Sequence, residues 1–252
     1  MNEDRFSHHE PCPRCGSKDN LGVWQDGHKF CFGCRYYTPA PDTIDLLKRK
    51  TTMETYKNNG IGHIDTSMYT PTIPTRPMEW LTKYGITKQE IIHYGILWDE
   101  EGKSLVFSYR DSNGDTFITN SRYFGTDPLH PKYLTNGHKS RVPYIKNKAS
   151  PTSIILVEDV VSAIKIARFA SSCSLLGATV PAEAIKWLSE RFKTIRVWLD
   201  MDKASQSLLE ASKLSQYVHD TRVILTPLDP KEYSNTELLN ILFDYKVLQK
   251  ST

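Results

Sequence analysis

No apolar run in this 252-residue chain approaches the roughly 20 residues of a membrane span, which excludes a helical transmembrane protein. The opening residues, Met1-Asn-Glu-Asp-Arg-Phe6, contain no apolar signal core, so a cytoplasmic protein is expected. Five cysteines are too few for a disulfide scaffold at this length. Neither charge sign dominates, and a net charge of +3 does not by itself announce a polyanionic partner. A G-x-x-x-x-G-K-[ST] loop is missing, so the chain carries no P-loop motor. Charged residues at 24% and aromatics at 11% exclude a disordered chain. One to two domains with an ample core are expected.

What is present is organised around three short apolar runs that end in acids. Ile154–Val157 runs into Glu158, Ile195–Leu199 into Asp200-Met-Asp202, and Arg222–Leu225 through Pro227-Leu228 into Asp229. Such runs, separated by helical patterns, read as buried strands of a parallel sheet. Sheets of this kind place their sites beyond the carboxyl ends of the strands. Asp200 and Asp202 are two apart and point the same way in an extended segment. Any one of these acids alone is an ordinary solvated loop residue. Four together, each at a strand end, repel unless a cation sits among them, and hard oxygen donors suit Mg²⁺ or Mn²⁺.

Four of the cysteines form two C-x-x-C knuckles, Cys12-Pro-Arg-Cys15 and Cys31-Phe-Gly-Cys34, fifteen residues apart. This spacing is that of a structural tetrahedral Zn²⁺ site; a redox dithiol pair is the alternative. Gly16 and Gly33 suit tight knuckle turns, and Asp26-Gly27 reads as a hairpin turn between Leu21–Trp24 and His28–Phe30. His8, His9 and His28 are spare ligands. Arg14, Lys18, Trp24, His28, Lys29, Arg35, Tyr36 and Tyr37 mix cations with aromatics, as single-stranded nucleic acid requires. Against this, Trp24 and one tyrosine are equally suited to the ribbon's own core. Cys173 reads as a small core residue within a strand.

Residues 1–38 are therefore read as a zinc ribbon and 39–77, rich in Thr, Pro and Gly, as a tether. In 78–150, Thr87-Lys-Gln-Glu90 is a capping box, and Asp111-Ser-Asn113-Gly114 joins two strands. From Lys103 to Lys148 this unit is basic: Lys103, Arg110, Arg122, Lys132, Lys139, Arg141, Lys146 and Lys148 stand against three acids, Asp111, Asp115 and Asp127, with Tyr123, Tyr133 and Tyr144 interleaved. A cationic surface facing a carboxylate cluster is what a nucleotide polymer needs, although any single lysine is commonly just solvated. In 151–252, helices are expected at about 159–171, 181–191, 203–219 and 235–245, with apolar spacing such as Leu208, Ala211, Leu214 and Val218.

Glu158, Asp200-Met-Asp202-Lys-Ala and Asp229-Pro-Lys-Glu resemble the Toprim domain of DnaG-type primases and type IA topoisomerases, with Leu175-Leu-Gly-Ala178 as the intervening strand and glycine turn. The pattern departs from that family at Asp159, where Gly is usual, at Ser162, where an acid is frequent, and at Ser205, where Gly is frequent. Cys12-Pro-Arg-Cys15-Gly-Ser, Asp26–Cys31 and Cys34 resemble the zinc-binding domain of the primase half of bacteriophage primase-helicases. The Tyr109–Gly114 hairpin, Arg122, Lys132 and Gly137-His-Lys139 resemble the basic subdomain of the same core. The resemblance spans 8–38 and 80–245. It implies an α/β Toprim-type parallel sheet, a preceding basic α+β subdomain and a separate zinc ribbon.

It further implies a DNA-dependent primase making short RNA primers from NTPs on single-stranded DNA. Structural Zn²⁺ would sit on Cys12, Cys15, Cys31 and Cys34, and catalytic Mg²⁺ or Mn²⁺ on Glu158, Asp200, Asp202 and Asp229. Arg122, Lys132 and Lys139 would lie at the reacting groups. Trp24, His28, Lys29, Arg35 and Arg141 would contact nucleic acid. A replicative helicase acting in trans, a polymerase receiving the primer, and the host cytoplasm as location complete this reading. The rival is a non-catalytic zinc/Toprim DNA-binding protein of the recombination-mediator type; a topoisomerase or Toprim nuclease fits less well.

Overall fold

The computed structural model describes residues 6–25, 27–34, 36–38, 64–110, 114–137, 143–148 and 150–248. Arg35, the Asp111–Asn113 turn, Lys139, Arg141 and the tether up to residue 63 lie outside them, as does Asp26. The chain divides into two compact units, residues 1–60 and 61–252. No helix among the described residues is long and apolar enough to cross a membrane.

The first unit is an antiparallel sheet of β1 (Phe6–Glu10), β2 (Leu21–Trp24), β3 (Lys29–Cys31) and β4 (Tyr37–Thr38), in that order. Its core is small: Cys12, Leu21 and Cys31, with Cys34 and Tyr36 packed against them. So few apolar groups cannot offset the entropy of ordering the segment, which leaves metal coordination as the source of its stability. β1 was not anticipated, because its residues are mostly exposed and Phe-Ser-His-His-Glu lacks apolar alternation.

In the second unit, α1 (Thr75–Lys83) and α2 (Lys88–His93) precede an antiparallel meander of β5 (Ile96–Asp99), β6 (Ser104–Arg110), β7 (Thr116–Tyr123) and β8 (Tyr133–Gly137). The Thr87/Glu90 capping box starts α2 as its sequence dictates. The segment read as a tether proves partly structural. Ile64 N–H bonds Thr116 O at 2.8 Å, Thr70 and Trp98 exchange backbone bonds of 2.9 and 2.7 Å, and α1 begins at Thr75. Unpaired edge groups of the meander claim this stretch despite its Thr/Pro composition.

The second sheet holds β9 (Tyr144–Ile145), β10 (Ser153–Val157), β11 (Ser172–Ser174), β12 (Thr194–Val197) and β13 (Asp220–Val223) in the order β13-β12-β10-β11-β9. The four latter strands are parallel and β9 is antiparallel to β11, so the sheet is mixed. Ile154 and Leu156 enter one core layer and Ile155 and Val157 the other, which explains the unbroken apolar run of β10. α4 (Ala182–Arg191) and α5 (Ala204–Ser215) cover the first face, and α3 (Val160–Ala167) and α6 (Asn235–Asp244) the second. Every residue of α3 is buried, because its other side carries Val160, Val161 and Ile164 onto Leu105 and Phe107 of the meander.

Two element positions differ from the sequence reading. β11 is Ser172–Ser174, and Leu175–Ala178 is instead the turn after it, with Leu176 at φ 51° and Gly177 at φ 147°. β13 starts at Asp220, two residues early. Thr194 pairs with Asp220 in register, and the wholly buried Arg196 donates to Asp220 O at 2.9 Å and Tyr245 O at 2.9 Å.

Candidate metal centre and active site

The knuckles are tied by Cys12 N–H to Ser17 O, 2.8 Å, and Cys31 N–H to Tyr36 O, 2.7 Å, with Gly16 at φ 71°. Gly33 has no positive φ, so the tight-turn expectation does not account for it; a Cβ there would lie 3.1 Å from Asn20 Nδ2. The Sγ atoms of Cys12 and Cys34 are 3.7 Å apart, as are those of Cys15 and Cys31, and all four lie within 4.8 Å of one another. Zn–S bonds of about 2.3 Å at tetrahedral angles imply an S···S separation of about 3.8 Å, so the cysteines fit Zn²⁺. The Ser17 hydroxyl and backbone N–H pull the Cys15 thiol down to about 6. The N–H groups of Cys34 and Gly33 lower Cys31, whereas burial pushes Cys34 up to about 12, so a cation among the four is what would hold them all as thiolates.

Trp24 is not in the ribbon core. It stacks on His28, ring centroids 4.5 Å apart, with Phe6 at 5.8 Å and Phe32 at 6.2 Å. Phe6, Phe32 and Tyr37 are about half exposed or more, which makes an aromatic surface. Phe6, His9 and Phe32 belong to it and were missed; the position of Phe32 inside the second knuckle was the available signal. Lys29 is engaged by Glu10 at 2.7 Å.

In the second unit, Glu158 follows β10, Asp200 follows the end of β12, and Asp229 lies beyond β13, all at the carboxyl edge of the parallel strands. Asp200 and Asp229 converge on one cation. Lys231 Nζ lies 3.1 Å from Asp200 Oδ2, 2.9 Å from Asp229 Oδ2 and 3.2 Å from Asp159 Oδ2. Asp159 also caps α3, its Oδ1 accepting from Val161 N–H at 2.9 Å and Ser162 N–H at 3.0 Å while Ser162 Oγ donates to its Oδ2 at 2.7 Å. The departures at Asp159 and Ser162 are therefore one joined feature. Asp202 does not continue an extended segment with Asp200: Met201–Lys203 forms a 3-10 turn, where the exposed Asp202 pairs with Lys203 and its charge reaches Glu158.

Burial pushes Asp200 up to about 7, with Asp159 and Asp229 adding and Lys231 opposing. Burial also raises Glu158, against the pull of Lys203. Burial would raise Asp229 as well, but the Lys231 bond outweighs it and its carboxyl stays low. Glu158 Oε2 and Asp200 Oδ1 are buried with no hydrogen-bond partner. Orphaned carboxylate oxygens fit a hard divalent cation, which binds through one or two carboxylates plus water or phosphate. No three carboxylates among the described residues gather as closely as the four cysteines do.

The meander adds the cationic face. Arg122 pairs across with Tyr133, on the side of the sheet that further along carries Leu105 and Phe107 onto α3. Its guanidinium lies 4.2 Å from the Trp80 ring centroid and donates to Tyr133 Oη, and its Nε is buried without a partner. Tyr133 is 40% exposed, yet its hydroxyl is held up by partial burial, and the charges of Asp159 and Lys231 reach it. Lys132 is exposed, its ammonium 5.8 Å from the Tyr133 ring.

No protein-family model matches the chain. A DNA helicase/primase of Enterobacteria phage T3 is 24% identical over 248 residues, covering 88% of this chain and 40% of that protein. The chain thus spans less than half the length of that curated relative. The zinc-binding and RNA polymerase domains of the Aquifex aeolicus primase superpose with a TM-score of 0.57 at 15% identity, over 97% of this chain and 79% of that one. A DnaG catalytic core gives 0.54 at 17% identity, over 80% and 77%. The chain is related in sequence to a phage primase-helicase and shares the fold of the DnaG-type primases with their zinc-binding unit.

Proposed function

We propose that this protein is a DNA-dependent primase that synthesises short RNA primers on a single-stranded DNA template from NTPs. The observation that carries the reading is the placement of Glu158, Asp200 and Asp229 after successive parallel strands at one sheet edge, with Asp200 and Asp229 meeting at Lys231 and the charge of Asp202 reaching Glu158. The 151–252 half is read as the Toprim domain.

Glu158, Asp202 and the free Oδ1 of Asp200 would hold Mg²⁺ or Mn²⁺. Such an ion, when bound, offsets phosphate charge and lowers the pKa of a primer 3′-hydroxyl. The protein's own part is orientation and charge. Lys132 and Arg122, with Lys139 and Arg141, bring cations to triphosphate and template backbone. Arg122 is aimed by its stack on Trp80. On the ribbon, Trp24 and His28 offer π-faces to unstacked template bases, with Lys29 and Arg35 at the phosphates. A helicase that exposes the template and a polymerase that extends the primer are the partners this activity serves.

The test is primer synthesis by zinc-loaded protein with Mg²⁺ or Mn²⁺, labelled NTPs and a library of single-stranded templates, beside Asp200→Ala. Template-dependent oligoribonucleotides that vanish in the variant support the reading. Lys231 among the acids is the one observation favouring the rival, a non-catalytic DNA-binding protein of the recombination-mediator type. Intact single-stranded DNA binding with no product on any template would point to that rival or to an obligatory helicase partner.

A further inference from the structure

We infer that the Lys231 ammonium is a fixed internal cation of the acidic site, standing where a divalent ion would sit among Asp159, Asp200 and Asp229 and leaving room for a single exchangeable ion beside Glu158 and Asp202. The inference rests on the metal-dependent reading proposed above and concerns how many ions that site takes.

The first argument is stereochemical. A lysine ammonium has three N–H donors and here meets three carboxylates, at 2.9, 3.1 and 3.2 Å, so none is left for solvent or phosphate. Its side chain is only 14% exposed. Mg²⁺ demands oxygens at about 2.0–2.1 Å, whereas an ammonium satisfies them near 2.9 Å. Carboxylates set around an ammonium are thus spread wider than an ion would draw them, in line with the absence of a three-carboxylate gathering among the described residues.

The second argument concerns what the acids have left. Asp159 spends Oδ1 on two backbone N–H groups and Oδ2 on Ser162 and Lys231, so it cannot turn to a metal without uncapping α3. Asp229 accepts from Met201 N–H with Oδ1, at 3.2 Å, and from Lys231 with Oδ2. Among the buried oxygens of these acids, those without a partner are Asp200 Oδ1 and Glu158 Oε2. That is a donor set for one ion.

The third argument is rigidity. The backbone around Lys231 is held by a capping box between Asp229 and Glu232 and by Pro230. The buried Lys165 ammonium donates to Lys231 O at 2.6 Å and also to Tyr233 O. Leu228 N–H bonds Tyr233 Oη at 3.1 Å. For Lys231 to leave on ion binding, three desolvated carboxylates would lose their partner at once.

The experiment is a Mn²⁺ titration of the zinc-loaded full chain followed by electron paramagnetic resonance, with thermal melts in parallel, on wild type and Lys231→Met. Wild type is expected to saturate with the spectrum of an isolated ion. Lys231→Met is expected to bind an additional equivalent and to gain Mn²⁺ affinity by about tenfold or more, since a like charge at contact distance is gone. Its melting temperature is expected to rise more with Mn²⁺ than that of wild type. A spin-coupled Mn²⁺ pair in wild type overturns the inference while leaving the metal-dependent reading standing, and needs no variant. Equal stoichiometry in both proteins overturns it as well. No Mn²⁺ bound by either protein removes the metal-dependent reading and this inference with it.

Discussion

Arg168 grips Glu90 through two parallel bonds, Nε to Oε1 at 2.7 Å and Nη2 to Oε2 at 2.8 Å, across 78 residues of sequence. The same guanidinium reaches Gly85 O at 2.8 Å and Asn235 Oδ1 at 2.6 Å, so one side chain ties the α1–α2 segment to α3 and α6. Both partners are under one-fifth exposed. Removing one half of such a pair leaves a desolvated charge, and Arg168→Ala is expected to cost about 2–4 kcal/mol. Burial alone would raise Glu90, but Arg168 and the Thr87 N–H and hydroxyl outweigh it and hold the carboxyl below its usual 4.5. A depressed folded pKa means the stabilisation is complete above about 4.5 and fades as pH falls through the folded value. Urea midpoints of wild type and Glu90→Gln should therefore converge below pH about 4.5 and separate above it; parallel curves would refute the pairing.

The ribbon should depend on zinc while the second unit does not, because the two are separate compact units and the ribbon core is three buried residues with two partly buried neighbours. X-ray absorption is expected to show four sulfurs at about 2.3 Å. Chelation, or Cys12→Ser, should abolish the near-ultraviolet signal of Trp24 stacked on His28. The main thermal transition should stay where it was. A shift of that transition on chelation would contradict the division.

How much of this was readable beforehand follows from what sets each feature. The β10 run and the knuckles were visible because burial on both faces and tetrahedral coordination each impose a short local pattern. That Glu158, Asp200 and Asp229 come to one edge also followed, since parallel strands align their ends. Strands β1 and β8 were not visible: their residues are mostly exposed, and pairing with a neighbour rather than burial holds them. Lys231, Asp159 and the Arg168–Glu90 tie were not visible either. Each is a contact over tens of residues between side chains that look, in sequence, like ordinary surface charges.

Arg122 and Trp80 should prove energetically coupled. The guanidinium sits 4.2 Å from the indole centroid, with Phe124 at 5.3 Å and Tyr133 at 5.1 Å, so it is a packed group as much as a charge. A double-mutant cycle of Arg122→Ala and Trp80→Ala is expected to give about 1–2 kcal/mol of coupling in stability. Arg122→Lys should recover little of it, because an ammonium lacks the planar face and the fork that reaches Tyr133. A coupling near zero would leave Arg122 as a solvated cation.

The last prediction concerns Lys165, whose ammonium is buried in the middle of α3 and donates to two backbone oxygens, Lys231 O at 2.6 Å and Tyr233 O. Burial lowers the pKa of this amine, with Arg168 adding and the charges of Glu237 and Glu90 opposing. Lys165→Met keeps the shape and removes both donors. The desolvated amine disappears with them, so the net loss should be modest, about 1–3 kcal/mol. The informative readout is local. Glu232 N–H bonds Asp229 O at 2.9 Å and Leu228 N–H bonds Tyr233 Oη at 3.1 Å only while the 229–233 turn keeps its place. Hydrogen exchange at these two amides should accelerate in Lys165→Met well beyond the change in global stability. Exchange that tracks global unfolding alone would mean that the turn carrying Lys231 holds its position without this anchor, leaving the Asp229–Glu232 capping box to hold it.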